Sequence, residues 1–373
     1  MSDSLSGSFS ILWEAKTKRD IFAAWLIAGG SRLLWEHGDM KGFSCFDPDG
    51  LRELWEYRSR TVVSEPLVLG DWILTELLDD WDRICAKTGA SSKVAGLKPG
   101  DFLVFSNDRF GVFALDEEEG CAGFNVATGL VRQFCNAPEF LSPLAGDGGR
   151  FLAAEETEEE ERYWVGTLCP ESGAVLRARS TKIEAPPAVD CIGLVAKTTD
   201  GFLLGDSENC RLWYYSWNGE LVSEGEHPGA HDDPRTSIGS SRVVQDVDGS
   251  WLLLAVRYTK GFASCRLFCL ELGTGIHLRW DVEVPFILGD GIAFLPGRMT
   301  IVFGDHGFTQ GATDAFGDGK NSALVVSLND GSIHLLTDEP VTQWVAASDR
   351  GLFLGNGAPG GRKRIRYGEF ASG

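Results

Sequence analysis

The feature that most constrains the fold is a turn glycine that recurs along the whole chain. It follows a short polar residue in segments such as DPDG, which ends at Gly50, and NVATG, which ends at Gly129. Glycine adopts a positive φ without steric cost and a short polar side chain caps a tight turn, so each copy predicts a hairpin. The gaps between copies are 39, 40, 44, 46, 56 and 56 residues, and the copies are Gly50, Gly89, Gly129, Gly173, Gly219, Gly275 and Gly331.

Pairs of short apolar segments separate these hairpins. EPLVLG and DWILTEL follow the first copy, and SRVVQDV and SWLLLAV precede the sixth. A period of about 40 to 50 residues that contains several strands is typical of a β-propeller, in which each period forms one blade. The sequence therefore predicts an all-β fold with four-stranded antiparallel blades.

Two of the hairpins carry a longer pattern. In FDPDGLRELWEY and LELGTGIHLRWDV a tryptophan, Trp55 or Trp280, follows the turn glycine by five residues. This pattern resembles the repeat of the pyrroloquinoline-quinone-type (PQQ-like) β-propellers, a superfamily that includes quinoprotein dehydrogenases. NVATGLVRQF places Phe134 at the tryptophan position, and AKTGASSKV and SWNGELVSE lack the aromatic residue. The resemblance implies that each turn joins the third strand of a blade to its outer, fourth strand.

The two ends of the chain determine the number of blades. Seven turns give seven outer strands, and the C-terminal segments TQWVAAS, GLFLGN and RKRIRYGEF form a last blade without one. The N-terminal segment SFSILWEAK has the character of the missing strand. We therefore predict one eight-bladed β-propeller domain over 8–373, closed by the N-terminal strand, and a disordered N-terminus over 1–7. The alternative is seven blades, because APPAVDCIGLVAKTTDGFLLG is difficult to divide into strands.

Cysteine usage argues against the cofactor that the resemblance would imply. The quinone enzymes of the superfamily stack their cofactor on a ring of adjacent cysteines beside calcium, but no two of the nine cysteines here are adjacent. The first residues, MSDSLSGSFSILWEAKTKRD, lack the basic and apolar regions of a secretory signal. We expect no cofactor, a cytoplasmic location and cysteines that remain thiols, with Cys265 and Cys269 packed between blades.

The net charge of −20 limits the kinds of partner. Nucleic acids and anionic membranes carry phosphates that this charge repels, so we expect neither as a partner. Six segments expected at one face of the propeller hold 21 of the 54 acidic residues and five of the 34 basic ones. These segments are 79–83, 116–119, 155–162, 206–211, 226–235 and 305–320.

The uneven charge predicts a docking face for a basic protein partner, because complementary charge accelerates encounter and selects orientation. The competing interpretation is that these are solvated loop ends, since loops collect polar residues. The predicted partner-binding residues are Asp79, Asp80, Asp82, Glu117, Glu118, Glu119, Glu155, Glu156, Glu158, Glu159, Glu160, Glu161, Asp232, Asp233 and Asp305.

Motifs for catalysis are absent from the sequence: there is no G-x-S-x-G elbow, phosphate-binding loop or H-E-x-x-H. We predict a non-catalytic protein-binding propeller, either an immunity protein that neutralises a toxin or a scaffold subunit. The alternative is an enzyme or a small-molecule or metal-binding propeller that uses loops 226–240 and 304–321. These loops contain His227, His231 and His306, but without a recognised ligand spacing, so no metal site is predicted.

Overall fold

The computed structural model shows β-strands throughout the residues that it describes. Thirty-two strands form four-stranded sheets in which neighbouring strands are antiparallel, so the prediction of an all-β chain of such sheets is confirmed. The predicted disordered segment 1–7 lies outside the described residues. The described residues are 9–16, 21–28, 30–49, 52–106, 109–115, 121–133, 141–146, 150–156, 161–168, 175–182, 192–206, 211–227, 238–246, 248–258, 265–284, 292–295, 299–303, 323–335, 344–347, 351–356 and 364–370.

The chain divides into two compact units, of which the first comprises 1–54, 207–211 and 226–373. It contains four sheets, with strand orders β2-β3-β4-β5, β22-β23-β24-β25, β26-β27-β28-β29 and β1-β32-β31-β30. The strands are β1 (Phe9–Lys16), β2 (Ile21–Ile27), β3 (Arg32–His37), β4 (Gly42–Asp47), β5 (Arg52–Arg58), β22 (Ile238–Gln245), β23 (Trp251–Tyr258), β24 (Cys265–Leu272), β25 (Ile276–Val284), β26 (Ile292–Leu295), β27 (Met299–Phe303), β28 (Ala323–Ser327), β29 (Ile333–Leu335), β30 (Trp344–Ala347), β31 (Gly351–Asn356) and β32 (Arg364–Phe370).

The second unit comprises 55–206 and 212–225, so that the boundary falls within β5. Its sheets have the orders β6-β7-β8-β9, β10-β11-β12-β13, β14-β15-β16-β17 and β18-β19-β20-β21. The strands are β6 (Leu67–Leu69), β7 (Trp72–Glu76), β8 (Trp81–Cys85), β9 (Ser91–Lys93), β10 (Phe102–Ser106), β11 (Phe110–Ala114), β12 (Cys121–Asn125), β13 (Val131–Gln133), β14 (Leu141–Gly146), β15 (Arg150–Glu156), β16 (Glu161–Leu168), β17 (Val175–Lys182), β18 (Ile192–Lys197), β19 (Gly201–Asp206), β20 (Arg211–Ser216) and β21 (Leu221–Glu226).

Strands follow chain order in every described sheet except the one that contains the N-terminal strand. There β1 pairs with β32, the last strand of the chain, with Phe9 opposite Phe370 and Lys16 opposite Arg364. The carboxylate of Glu14 accepts a hydrogen bond of 2.9 Å from Nε of Arg366 across this pair. The N-terminal segment therefore provides the outer strand that the C-terminal segments lack, in the position that the sequence predicts.

The recurrent glycines that the structure describes lie between the third and fourth strands of their sheets, as the resemblance implies, whereas Gly50 and Gly173 lie outside the described residues. Gly89, Gly129 and Gly331 have positive φ values of 72°, 73° and 71°, and each donates its N–H to the carbonyl four residues earlier. Gly219 also has a positive φ, but its N–H bonds to the carbonyl of Ser216, three residues back, so this turn is tighter. Gly275 has no positive φ, which departs from the predicted turn geometry.

Two of these turns are each contacted by a tryptophan, which binds a carbonyl of the turn and covers its glycine. Nε1 of Trp55 donates to the carbonyl of Ala86 at 3.0 Å, and a Cβ built on Gly89 would come within 2.7 Å of the Trp55 ring. In the first unit, Nε1 of Trp280 donates to the carbonyl of Leu328 at 2.8 Å, and a Cβ on Gly331 would lie 2.8 Å from its ring. Glycine is thus required at this turn position for two reasons: the backbone has a positive φ, and the indole ring leaves no space for a Cβ. We call this arrangement the tryptophan–turn contact.

Arg83 makes the equivalent contact where the tryptophan is missing. The outer strand β9 is only three residues long and has no aromatic residue. Arg83 lies on the neighbouring strand β8, opposite Ser92 of β9. The guanidinium donates to the carbonyls of Val126 and Ala127 at 2.5 and 2.9 Å, and it lies against the Gly129 turn. Its Cζ is 3.4 Å from the centre of the Trp72 ring, a cation–π contact.

The hydrophobic core lies between successive sheets, because their central strands are buried on both faces. In the first unit, Trp35 and Phe46 of one sheet cluster with Phe353 and Ile365 of the next. In the second unit, Trp81 and Phe113 from adjacent sheets meet edge to face, with ring centres 5.5 Å apart. Such aromatic pairs add to the free energy gained by burial of apolar area.

Three described cysteines belong to this core. Burial raises the pKa of the Cys45 thiol to about 12, that of Cys121 to about 11 and that of Cys269 to about 12. All three are free thiols in this structure. Cys269 therefore packs as the sequence predicts, while the side chain of Cys265 lies outside the described residues.

We predict that Gly89→Ala destabilises the protein more than Gly30→Ala does. Both glycines have positive φ, so each substitution costs about 1–2 kcal/mol of backbone strain. A Cβ at Gly30 has open space, but one at Gly89 overlaps the Trp55 ring and adds about 1–3 kcal/mol. Urea unfolding of both variants measures the difference, and equal losses of stability would show that the tryptophan–turn contact is not tight.

Candidate docking surface

Each sheet has two ends that differ in the connections they carry. The turns between first and second strands and between third and fourth strands lie at one end, here called the lower end. The turns between second and third strands, and the links to the next sheet, lie at the other, here called the upper end. The described residues of the acidic segments lie in or next to upper-end connections, so the docking prediction concerns these connections.

Asp79 and Asp80 occupy an upper-end turn, as predicted. This turn joins β7 to β8, and the N–H of Leu77 donates to the carbonyl of Asp80 at 2.7 Å to close it. Both aspartates are exposed. Nζ of Lys93 lies 2.8 Å from Oδ2 of Asp80, whereas Asp79 forms no ion pair with any described residue.

Asp82 differs from the other predicted docking residues that the structure describes. It lies inside β8 and not in the turn, and it is 9% exposed. Its Oδ2 accepts a hydrogen bond of 2.5 Å from the Tyr57 hydroxyl, and its Oδ1 is 3.2 Å from Nζ of Lys93. We correct the prediction for this residue: Asp82 lies on a central strand whose residues 81–84 are all buried, and its carboxylate binds Tyr57.

The remaining predicted docking residues divide into two groups. Glu155 and Glu156 end β15 and Glu161 begins β16, so their backbones lie at an upper end, with Glu156 opposite Glu161. Their three side chains lie outside the described residues. The others lie outside the described residues: Glu117, Glu118, Glu119, Glu158, Glu159, Glu160, Asp232, Asp233 and Asp305.

Four acidic residues at lower ends are engaged in local contacts. Asp71 pairs with Lys87 at 2.5 Å, and Asp246 pairs with Arg279 at 2.6 Å. Asp248 and Asp330 accept backbone N–H groups within their own turns, and these hydrogen bonds lower the pKa of both carboxyl groups. Their charges are thus used to shape turns and to bind neighbouring side chains.

The histidine candidates do not assemble a metal site in the described part of the chain. His227 is buried and stacks on Phe268, with ring centres 5.9 Å apart, so it is a core residue and not part of a surface loop. His231 and His306 lie outside the described residues. No group of three or more potential ligands is found among the residues that the structure describes.

Three exposed apolar residues at upper ends of the second unit were not identified from the sequence. Leu78 lies in the same turn and is 71% exposed, Phe102 begins β10 at 59% exposure, and Val62 lies in the link before β6 at 52% exposure. The only sequence signal was an apolar residue, Leu78, in a predicted turn, where polar residues are usual.

The described residues include no helix with the length and apolar character needed to cross a membrane.

We predict that the Tyr57–Asp82 hydrogen bond makes a pH-dependent contribution to stability. Burial, followed by the bond to Asp82, raises the pKa of the Tyr57 hydroxyl. The folded protein therefore retains this proton above pH 10, where the unfolded chain releases it, so the contribution is complete below about pH 10 and declines above it. The free energy of unfolding of the wild type should exceed that of Tyr57→Phe at pH 8. The difference should narrow by up to about 1.4 kcal/mol per pH unit above pH 10, and a constant difference would contradict the assignment.

Comparison with known proteins identifies the fold through structure and not through sequence. No protein-family model matches the chain, and no curated protein matches it in sequence. The solved structure of BamB from Moraxella catarrhalis matches with a TM-score of 0.56 and 12% identity over 97% of this chain and 100% of BamB. The dihydro-heme d1 dehydrogenase NirN, in complex with DHE, matches with a TM-score of 0.60 and 11% identity over 96% of this chain and 79% of NirN.

A third similar structure is itself a β-propeller domain. The β-propeller domain of Cps50 (Swd1) from Myceliophteria thermophila matches with a TM-score of 0.51 and 12% identity over 97% of this chain and 99% of that domain. At this level of identity the likenesses concern the fold alone. Together with the four-stranded antiparallel sheets, they show that the chain has a β-propeller fold.

Proposed function

We propose that this protein is a non-catalytic, cytoplasmic β-propeller that docks a basic protein partner on the acidic residues of its upper-end connections. We further propose that 8–373 form one eight-bladed domain, a degenerate member of the PQQ-like propellers without their cofactor. The eight described sheets and the match over 97% of the chain to BamB support this domain assignment.

The observation that carries the proposal is the contrast between Asp79 and several acidic residues at lower ends. At lower ends, residues such as Asp71 and Asp246 form ion pairs within the protein. At the upper end, Asp79 is exposed and has no such pair among the described residues. Carboxylates that are not neutralised internally remain available to a cationic partner.

Several charges must act together for such docking. One exposed ion pair contributes only about 0–1 kcal/mol, but clustered charges of one sign create a field that steers a cationic protein and raises its association rate. The six acidic segments carry a net charge of −16 out of the total of −20. The proposal predicts fast, salt-sensitive association with a partner rich in Lys and Arg.

Two biological roles share this surface chemistry. An immunity protein would cover the cationic surface of a toxin domain, and a scaffold subunit would hold a basic neighbour within a larger complex. The net charge of −20 supports both roles and disfavours nucleic acid or an anionic membrane as the partner.

A second candidate function is an enzyme or a small-molecule or metal-binding propeller that uses loops 226–240 and 304–321. The observation in its favour is the match to NirN, a dehydrogenase solved in complex with DHE. If this second candidate is correct, elemental analysis or mass spectrometry of the purified protein should detect a bound metal or organic ligand. The burial of His227 against Phe268 removes one of its three histidine candidates from the loop surface.

We predict that reversing charge in the longest acidic segment weakens docking without unfolding the protein. The variant is Glu158→Lys, Glu159→Lys and Glu160→Lys, a change of six charge units. Purification of the tagged protein from its native host at low salt should yield a stoichiometric basic protein that dissociates at high salt, because salt screens exposed charges. The triple variant should lose most of this partner while its thermal midpoint stays close to that of the wild type.

A matched control applies the same change of charge elsewhere. Glu53, Glu220 and Glu224 are exposed residues on or beside outer strands, away from the upper-end turns. Their triple reversal to Lys should leave partner recovery nearly unchanged. Equal loss in both triple variants would indicate a response to net charge alone, and recovery of no basic protein by the wild type would contradict the proposal.

A further inference from the structure

We propose that the upper end of the β6–β9 sheet is a binding site for an extended basic segment that carries an apolar side chain between Lys or Arg residues. The site, here called the β7-end patch, consists of Val62, Leu78 and Phe102 with Asp79 and Asp80. This inference rests on the proposed function and specifies which chemistry the partner presents to one part of the acidic surface.

The apolar side chains of the patch are unusually exposed for their size. Leu78, Phe102 and Val62 all have more than half of their surface open to solvent. A single exposed apolar residue is ordinary, but exposed apolar residues grouped at one site mark interaction surfaces.

Glu76, the last residue of β7, holds the three segments together. Its backbone carbonyl accepts from the N–H of Ser64 at 2.9 Å, and its own N–H donates to Oγ of Ser64 at 2.8 Å. Its carboxylate Oε1 accepts from the N–H of Gly100 at 2.8 Å. Glu76 thus joins the link before β6 and the link before β10 to the start of the 77–80 turn.

Each apolar residue lies two positions from one of these bonded groups. Val62 precedes Ser64 by two residues, Leu78 follows Glu76 by two, and Phe102 follows Gly100 by two. Two residues of chain span at most about 7 Å. The backbones of the three apolar residues therefore lie around one residue, Glu76, where the upper end of the β6–β9 sheet meets the start of β10.

Further bonds hold the patch in a defined geometry. The hydroxyl of Thr75 donates to the carbonyl of Ser64 at 3.1 Å, and Nε1 of Trp81 donates to the carbonyl of Lys98 at 2.8 Å. Val63, next to Val62, is buried and anchors its link to the core. A surface ordered before binding loses little conformational entropy when a partner docks, which favours affinity.

Charge around the patch selects a basic segment as the occupant. Asp79 and Glu65 are exposed, and no ion pair with a described residue neutralises either. Lys93 partly neutralises Asp80 and Asp82, and Arg60 and Lys98 are exposed nearby, so the excess of negative charge is small. A segment with one or two cations beside its apolar residue matches this pattern better than a polycation does.

Synthetic peptides test this inference directly. The probe is a fluorescein-labelled peptide of alternating Lys and Leu, compared with peptides in which Ser replaces Leu or Glu replaces Lys. We expect the Lys/Leu peptide to bind the full-length protein and to show at least tenfold lower affinity, about 1.4 kcal/mol, when Ser replaces Leu. The Glu/Leu peptide should not bind, because its charge repeats that of Asp79 and Asp80.

Variants assign the binding to the patch. Leu78→Ser with Phe102→Ser should lower affinity for the Lys/Leu peptide at least tenfold, with thermal stability unchanged since both side chains are exposed. The matched control is Leu130→Ser with Leu221→Ser, two residues of similar exposure, 57% and 52%, that lie at lower-end turns. This control pair should bind like the wild type.

The outcomes separate this inference from the proposed function. If the Lys/Ser peptide binds as tightly as the Lys/Leu peptide, or if both variant pairs bind alike, the β7-end patch is refuted while docking through charge stands. If no Lys-containing peptide binds at low salt, both are refuted. Selective loss in the Leu78/Phe102 pair supports both.

Discussion

The contact on which the architecture depends joins a strand of one sheet to the glycine turn between the third and fourth strands of the next sheet. A side chain with an N–H donor reaches a carbonyl in that turn and covers its glycine, as Trp55 does at Gly89 and Trp280 at Gly331. A four-stranded sheet presents two apolar faces and cannot bury both alone. Fixing the distance between one sheet and the next allows central strands to be buried on both faces, as in the sheets that share Trp81 and Phe113.

The contact tolerates a change of chemistry as long as its geometry is kept. Arg83 comes from β8 instead of an outer strand, and yet it reaches the corresponding turn carbonyl and covers the corresponding glycine. The guanidinium provides several donors where indole has one, and its stacking on Trp72 compensates for the apolar surface that it lacks. A basic residue within an acidic segment is thus part of the framework and not part of the charged surface.

The sequences at the lower and upper ends of the sheets are consequently constrained to different degrees. Lower-end turns carry the glycine and the carbonyl of the contact, and their aspartates cap the turns or bind bases such as Lys87 and Arg279. The described upper-end connections take no part in the tryptophan–turn contact, so they can vary in length and carry exposed residues such as Leu78 and Asp79. This division favours the upper ends as the place where a partner is recognised.

Sequence alone determined the repeat, the hairpin glycines and the pairing role of the N-terminal strand, because these depend on local backbone conformation and on the alternation of apolar residues. It could not determine which polar residues face inward. Asp82 belongs to a run of acids in the sequence, but the register of β8 directs it to Tyr57. The substitution of Arg83 for a tryptophan, the burial of His227 and the convergence of Val62, Leu78 and Phe102 around Glu76 were decided by tertiary structure. Each depends on residues from separate strands or links meeting in space, and no local pattern encodes that meeting.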